Sequence, residues 1–359
     1  MIDTQRMVEQ FMAMVRIDSE SGHEEAMMQY LTGYLTRELG AECVRDAYGN
    51  LVARWPGQNS TAAPILLACH ADTVKPGRGI EPVLEGEVIT SRGETILGAD
   101  DKAGIAEAIE AIRTAPAHPP IDFAVSREEE VGLLGVKNLD LSLIRAKEGY
   151  LLDSDVLDTV VIGGPTYVAI DVDVTGRAAH AGMEPERGIS AIQAAARAIA
   201  ALDLGRLDHQ TTANVGVISG GIVRNGVPEK AGFLAECRSL DHATAMALAE
   251  RMTRTIRDEV EASGATADIR VDVKCEAVGI PESTPVVQTC LAAIASVGLK
   301  PRTTYICGFT DASIYNNRGI QTAVLGIGAA NEHSAQELIA VPDMVTAVKI
   351  LHRIFEMKA

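Results

Sequence analysis

The chain has 359 residues, of which 47% are hydrophobic and 23% charged, with a formal net charge of −17. That length exceeds one ordinary hydrophobic core and predicts two domains. The acidic excess argues against nucleic acid or an anionic membrane as partner, and no apolar run is long enough to span a bilayer. The first six residues lack the basic-then-apolar pattern of a secretory leader. Six scattered cysteines (Cys43, Cys69, Cys237, Cys275, Cys290, Cys307) form no Cys-x-x-Cys pair. They predict reduced thiols in a cytoplasmic protein and leave any metal to histidine and carboxylate ligands.

Residues 4–16 and 24–39 have helical periodicity, separated by a loop with capping residues. Short strands are predicted at 42–45 and 51–55. The continuous apolar run 64–69 suits a strand covered on both faces, and it ends in His70-Ala71-Asp72. Next comes Leu97-Gly98-Ala99-Asp100-Asp101-Lys102-Ala103-Gly104, where a helical pattern begins at Lys102. Asp100 therefore sits at a strand-to-helix junction, outside the carboxyl ends of the strands, where α/β sheets place their sites. Taken alone, Asp100 or Asp101 reads equally well as a helix N-cap. A strand at 122–126 runs into Glu128-Glu129-Glu130, one at 150–152 closes on Asp153, and one at 321–326 precedes Asn331-Glu332-His333.

Strands alternating with helices predict an α/β domain whose mostly parallel central sheet is covered by helices. Between Thr166 and Cys275 the strands instead alternate apolar and polar, as at 167–174 and 269–273, which marks an antiparallel sheet with one wet face. Helical patterns at 189–202 and 243–262 lie within it. The expected organisation is a catalytic domain of residues 1–165 and 277–359, with an inserted α+β lid domain of residues 166–276. A helix at 285–297, a strand at 302–306 and a helix at 342–357 complete the first domain.

A lone histidine ending a buried strand is usually a satisfied core residue. Asp72, two positions after His70, changes that reading, because a carboxylate on the second ring nitrogen fixes the tautomer of a ligating histidine. The run 128–130 would pass for a solvated face, and Asp153 and His333 for turn and loop residues. Together His70, Asp100, Glu130, Asp153 and His333 supply two imidazoles and three carboxylates, a donor set suited to zinc. A shared carboxylate can bridge two ions about 3.5 Å apart. Two divalent cations, three carboxylates and one hydroxide sum to zero charge. Glu129 is then left free beside the water as general base and later acid.

These motifs, with Glu129-Glu130-Val131-Gly132, resemble the co-catalytic zinc metallopeptidases that include peptidase T, glutamate carboxypeptidase and acetylornithine deacetylase. The resemblance runs along essentially the whole chain. It implies a bridging Asp100, one metal completed by His70 and Asp153, and the other by Glu130 and His333. It further implies that Asp72 orients His70, that Glu129 is the catalytic carboxylate, and that the Asp100–Asp101 peptide is cis. Two divalent ions per subunit are expected, zinc first, with cobalt and manganese as alternatives.

Within the lid, Gly176-Arg177-Ala178-Ala179-His180-Ala181-Gly182 resembles the segment whose histidine reaches the neighbouring subunit's site and steadies the oxyanion, which implies a homodimer. Asn225 resembles a substrate contact, and Arg238 the arginine that pairs with a substrate carboxylate bidentately. Gly308, in Gly308-Phe309-Thr310-Asp311-Ala312, falls in the substrate-side loop, though Cys307-Gly308 stands where Gly-Gly is frequent. An aspartate at position 153 is similar to the aminopeptidase and dipeptidase members. The expected activity is therefore hydrolysis of the N-terminal peptide bond of short peptides, as in the peptidase T-like branch. The alternatives are a carboxypeptidase or N-acyl amino acid deacylase, and a non-catalytic metal- or peptide-binding protein.

Overall fold

A computed structural model describes all 359 residues, which divide into two compact units. The first comprises Met1–Ile162, Gly279–Tyr305 and Thr310–Ala359, and the second Gly163–Val278 with Ile306–Phe309.

In the first unit, four central strands run parallel in the order Ile121–Ser126, Ile65–His70, Glu148–Leu152, Gln321–Leu325. Every residue of the first two is buried, as their largely apolar sequences require when helices cover both faces, and the buried Asp122 is satisfied by Arg145. Leu51–Trp55 and Glu42–Arg45 extend one edge antiparallel, and Thr159–Gly164 pairs antiparallel with Gln321–Leu325 at the other. The α/β sheet with a parallel centre is the architecture predicted. Helices Thr4–Val15, Ala99–Thr114, Pro285–Ser296 and Val341–Lys358 bury their apolar faces in one continuous core with these strands. The first helix is capped by Asp3, whose side chain accepts the Arg6 N–H at 3.1 Å.

A smaller sheet in this unit joins Ala329–Ala330, Leu338–Ala340, Val88–Ser91 and Pro82–Glu85. Ala330 pairs with Leu338 and Ala329 with Ile339, so residues 331–337 are the closed connection of a hairpin. The loop carrying His333 is thus pinned at both ends.

The second unit is a five-stranded antiparallel sheet, ordered Gly205–Arg206, Thr211–Gly220, Lys230–Ser239, Thr166–Thr175, Thr266–Cys275. In Thr166–Thr175 the buried residues Val168, Ile170, Val172 and Val174 alternate with wetter ones. They share a core with Phe233, Leu248, Met252 and Ile256, bringing helices Ala191–Ala200 and His242–Ala262 onto one face. Ser190 and Asp241 cap those helices by accepting the Gln193 and Thr244 N–H groups. No helix of the chain is long and apolar enough to cross a membrane.

Candidate metal centre

All five sequence-predicted ligands converge at the carboxyl ends of the parallel strands. His70 is the last residue of Ile65–His70 and is 1% exposed. Its Nε2 lies 3.0 Å from Asp100 Oδ1 and 3.7 Å from Asp153 Oδ1. His333 Nε2 lies 3.2 Å from the other Asp100 oxygen, Oδ2, and 3.0 Å from Glu130 Oε1. Asp100 therefore stands between the two histidines with one oxygen toward each. Asp153 follows directly on Glu148–Leu152, and Glu130 lies four residues beyond Ile121–Ser126.

The shell behind these groups is equally specific. His70 Nδ1 approaches the Asp72 backbone carbonyl at 3.0 Å, nearer than the Asp72 carboxylate at 3.5 Å. The carbonyl, more than the side chain expected to do so, fixes the ring. Asp101, which the sequence offered only as a possible helix N-cap, accepts the His70 backbone N–H at 3.1 Å. The peptide joining Asp100 to Asp101 is cis, as the resemblance implied. Glu24, fully buried, accepts from Arg127 Nε and Nη2 at 3.0 and 2.8 Å and from the Glu128 N–H at 3.2 Å. Glu128 points its carboxylate to the Tyr48 hydroxyl, so of the three glutamates only Glu130 joins the ligand cluster. Glu337 accepts backbone N–H groups from Leu97, Gly98, Ala99 and Asp100.

The electrostatics follow from crowding acids in a dry place. Burial, then neighbouring carboxylates, pushes the Glu129 and Asp153 carboxyls well up. Burial alone would raise Asp100 too, but His333 and His70 hold it well below the usual range. Contacts with Asp100 and Glu130 carry His333 up to about 10. Asp153 Oδ2 is buried with no hydrogen-bond partner, an unusual cost for a carboxylate oxygen. A cation would satisfy it. His70, Asp100 and Glu130, and also His70, Asp101 and Asp153, present ligand atoms within 4.8 Å of one another. This nitrogen and oxygen donor set fits divalent metal.

The remaining predicted residues lie in the second unit. His180 is exposed in Ala179–His180, which pairs with Gly226–Val227, and the Asn225 carbonyl accepts the Ala181 N–H at 3.1 Å. His180 and Asn225 are therefore neighbours. Arg238 stacks 4.4 Å from the Tyr167 ring centroid and donates to both Glu236 oxygens, at 3.2 and 3.0 Å. Its Nη1 holds the Cys307 carbonyl at 3.0 Å, next to Gly308. The fork expected to seize a substrate carboxylate is already occupied by Glu236.

Comparison with known proteins is consistent with this geometry. Residues 165–263 match the model of the peptidase dimerisation domain of the M20 family. The crystal structure of aminopeptidase PepT from Bacillus cereus is 36% identical, covers 99% of this chain and 98% of that one, and superposes with a TM-score of 0.87. The chain belongs to the peptidase T-like M20 peptidases. A tripeptidase from Staphylococcus aureus is 31% identical, with 99% of each chain covered and a TM-score of 0.92. An uncharacterized Bacillus subtilis protein, YqjE, is 34% identical over 372 residues, spanning 100% of both chains. As an M20 peptidase the protein is a hydrolase of peptide bonds, and its antiparallel unit is the dimerisation module of that family.

Proposed function

We propose that this M20 peptidase removes the N-terminal residue from short peptides, tripeptides above all, at a centre of two divalent cations, zinc first. The observation that carries the reading is the Asp100 carboxylate between His70 and His333, one oxygen to each. Asp153 would complete the group at His70, and Glu130 the group at His333. Two cations bound there would lower the pKa of a water and polarise the scissile carbonyl.

The chain's own residues supply the rest. Glu129, 5% exposed and kept from ionising easily by its surroundings, is suited to take a proton from the attacking water. The same carboxyl then passes that proton to the leaving amine as the C–N bond breaks. Asp72 holds both His70 and the Glu129 backbone in place. His180 is proposed to steady the developing negative charge on the carbonyl oxygen of a partner subunit's substrate, and Asn225 and Gly308 to contact substrate. The protein is proposed to act as a homodimer in the cytoplasm, in keeping with six free cysteines.

Likeness to an aminopeptidase and a tripeptidase favours cleavage at the amino end. So does Arg238, since Glu236 leaves it poorly placed for a substrate carboxylate. We assign Arg238 instead to holding the segment that contains Gly308. The test is digestion of Ala-Ala-Ala and Leu-Gly-Gly by zinc- or cobalt-loaded protein. Release of the free N-terminal residue, with N-acetyl amino acids left intact, is expected. Deacylation without peptide cleavage would replace this reading by the deacylase one, and binding without turnover would replace it by a non-catalytic one.

A further inference from the structure

Glu337 has no part in the mechanism above, yet its carboxylate is among the most heavily engaged in the chain. Oε2 accepts the N–H groups of Leu97 and Gly98, each at 2.7 Å, and Oε1 those of Ala99 and Asp100 at 2.8 and 3.1 Å. The side chain is 2% exposed. These donors form an irregular turn leading into the helix Ala99–Thr114, whose regular dihedrals begin only after the non-helical Asp100 and Asp101. Buried backbone N–H groups outside a regular ladder need an acceptor from elsewhere. Here that acceptor arrives from 240 positions further along the chain.

Asp100 is thereby held from two sides. Its backbone N–H is fixed by Glu337, and its carboxylate faces His70 and His333. Glu337 is itself four residues from His333, in the same closed hairpin connection. One short loop therefore delivers both a histidine of the centre and the anchor for the aspartate opposite it.

We propose that Glu337 is a positioning residue of the metal centre. By gripping residues 97–100 it sets the distance between Asp100 and His333, and with it the affinity for the ion those residues would share with Glu130. This rests on the metal-centre reading proposed above. The chemistry separates it from simple helix stabilisation. Glutamine keeps the shape but turns an NH2 donor toward two backbone N–H donors, so the grip on one pair is lost. Aspartate keeps the charge but is one methylene short.

The experiment is zinc competition against a chromophoric chelator, together with the visible spectrum of the cobalt-loaded protein, well below the melting temperature of each variant. For Glu337→Gln, one of two ions is expected to bind ~10–100-fold more weakly, the usual effect of losing an outer-shell partner, with a changed cobalt spectrum. Glu337→Asp should fall between it and wild type, and it carries the test if the glutamine variant does not fold. Ile350→Ala, in the buried face of Val341–Lys358, provides a destabilised control that should keep wild-type affinity. Two ions bound at wild-type strength by the Glu337 variants would overturn the proposal. So would an equal loss in the Ile350 control. If wild type binds no pair of ions, the metal-centre reading itself fails and this inference goes with it.

Discussion

The Asp72 carboxylate accepts the backbone N–H of Glu129 at 2.9 Å. Its other oxygen accepts the Glu130 N–H at 3.2 Å and the Ser21 hydroxyl at 2.7 Å, while its main-chain carbonyl faces His70 Nδ1. One fully buried residue thus registers His70 against the backbone of both Glu129 and Glu130. Asp72→Asn exchanges an acceptor for a donor opposite those N–H groups. Zinc affinity should fall ~10–100-fold and kcat with it, read by chelator competition and initial rates. Unchanged values in both would refute the dual role.

Glu129→Gln should leave metal content intact while kcat falls ~10²–10⁴-fold, the typical contribution of a general base. His333→Ala or Glu130→Ala should instead lower the metal content measured by elemental analysis. A Glu129 variant that lost its metal would move that residue from proton transfer to ligation.

Burial pushes the Asp311 carboxyl up to about 7 from an ordinary 3.8. With cations chelated, the folded chain keeps a proton there that the unfolded chain has released. The stability this contributes is whole below about pH 4 and is lost as pH rises toward about 7. Asp311→Asn should therefore flatten the decline of Tm across that window in chelator. Parallel Tm curves for variant and wild type would contradict it. Glu129 and Asp153, also raised, act in the same direction and leave a residual slope.

Glu24→Ala strands Arg127, whose side chain is 18% exposed, beside a buried hole. Breaking such a pair costs about 3–5 kcal/mol, which denaturant titration would measure. Because Glu24 also holds the Glu128 N–H, the loop carrying Glu129 and Glu130 should loosen and hydrogen exchange there accelerate.

His180→Ala should keep its metal and slow turnover. Mixed with Glu129→Gln protein, it should regain activity through hybrid dimers, each supplying one intact set. No recovery would rule out action of His180 across the subunit interface.

The sequence made the parallel strands and the second sheet readable for opposite reasons. Ile65–His70 is buried on both faces and so is apolar without interruption up to its last residue, whereas Thr166–Thr175 has one wet face and alternates. The hairpin Pro82–Glu85 and Val88–Ser91 passed unnoticed because its strands are short and partly exposed, with no periodic signal. The five converging residues were readable because four follow strand patterns, Asp100 precedes a helical one, and each carries a distinctive side chain. Glu337 was not, since its partners are backbone N–H groups, which every residue has and no motif records. Nor was the pairing of Arg238 with Glu236 readable: the residue type suits an incoming anion, and only the fold shows Glu236, two positions earlier on the strand, against its guanidinium.

The connection between Ala330 and Leu338 also bears on how such a chain can diverge. Ala335 and Gln336 are exposed, so their identities are open to drift. Their number is not. An inserted or deleted residue would throw His333 or Glu337 out of phase with its target while the flanking strand pairs stayed in register. Substitution at those two positions leaves this geometry alone while a change of loop length would not, and the loop works as a molecular ruler.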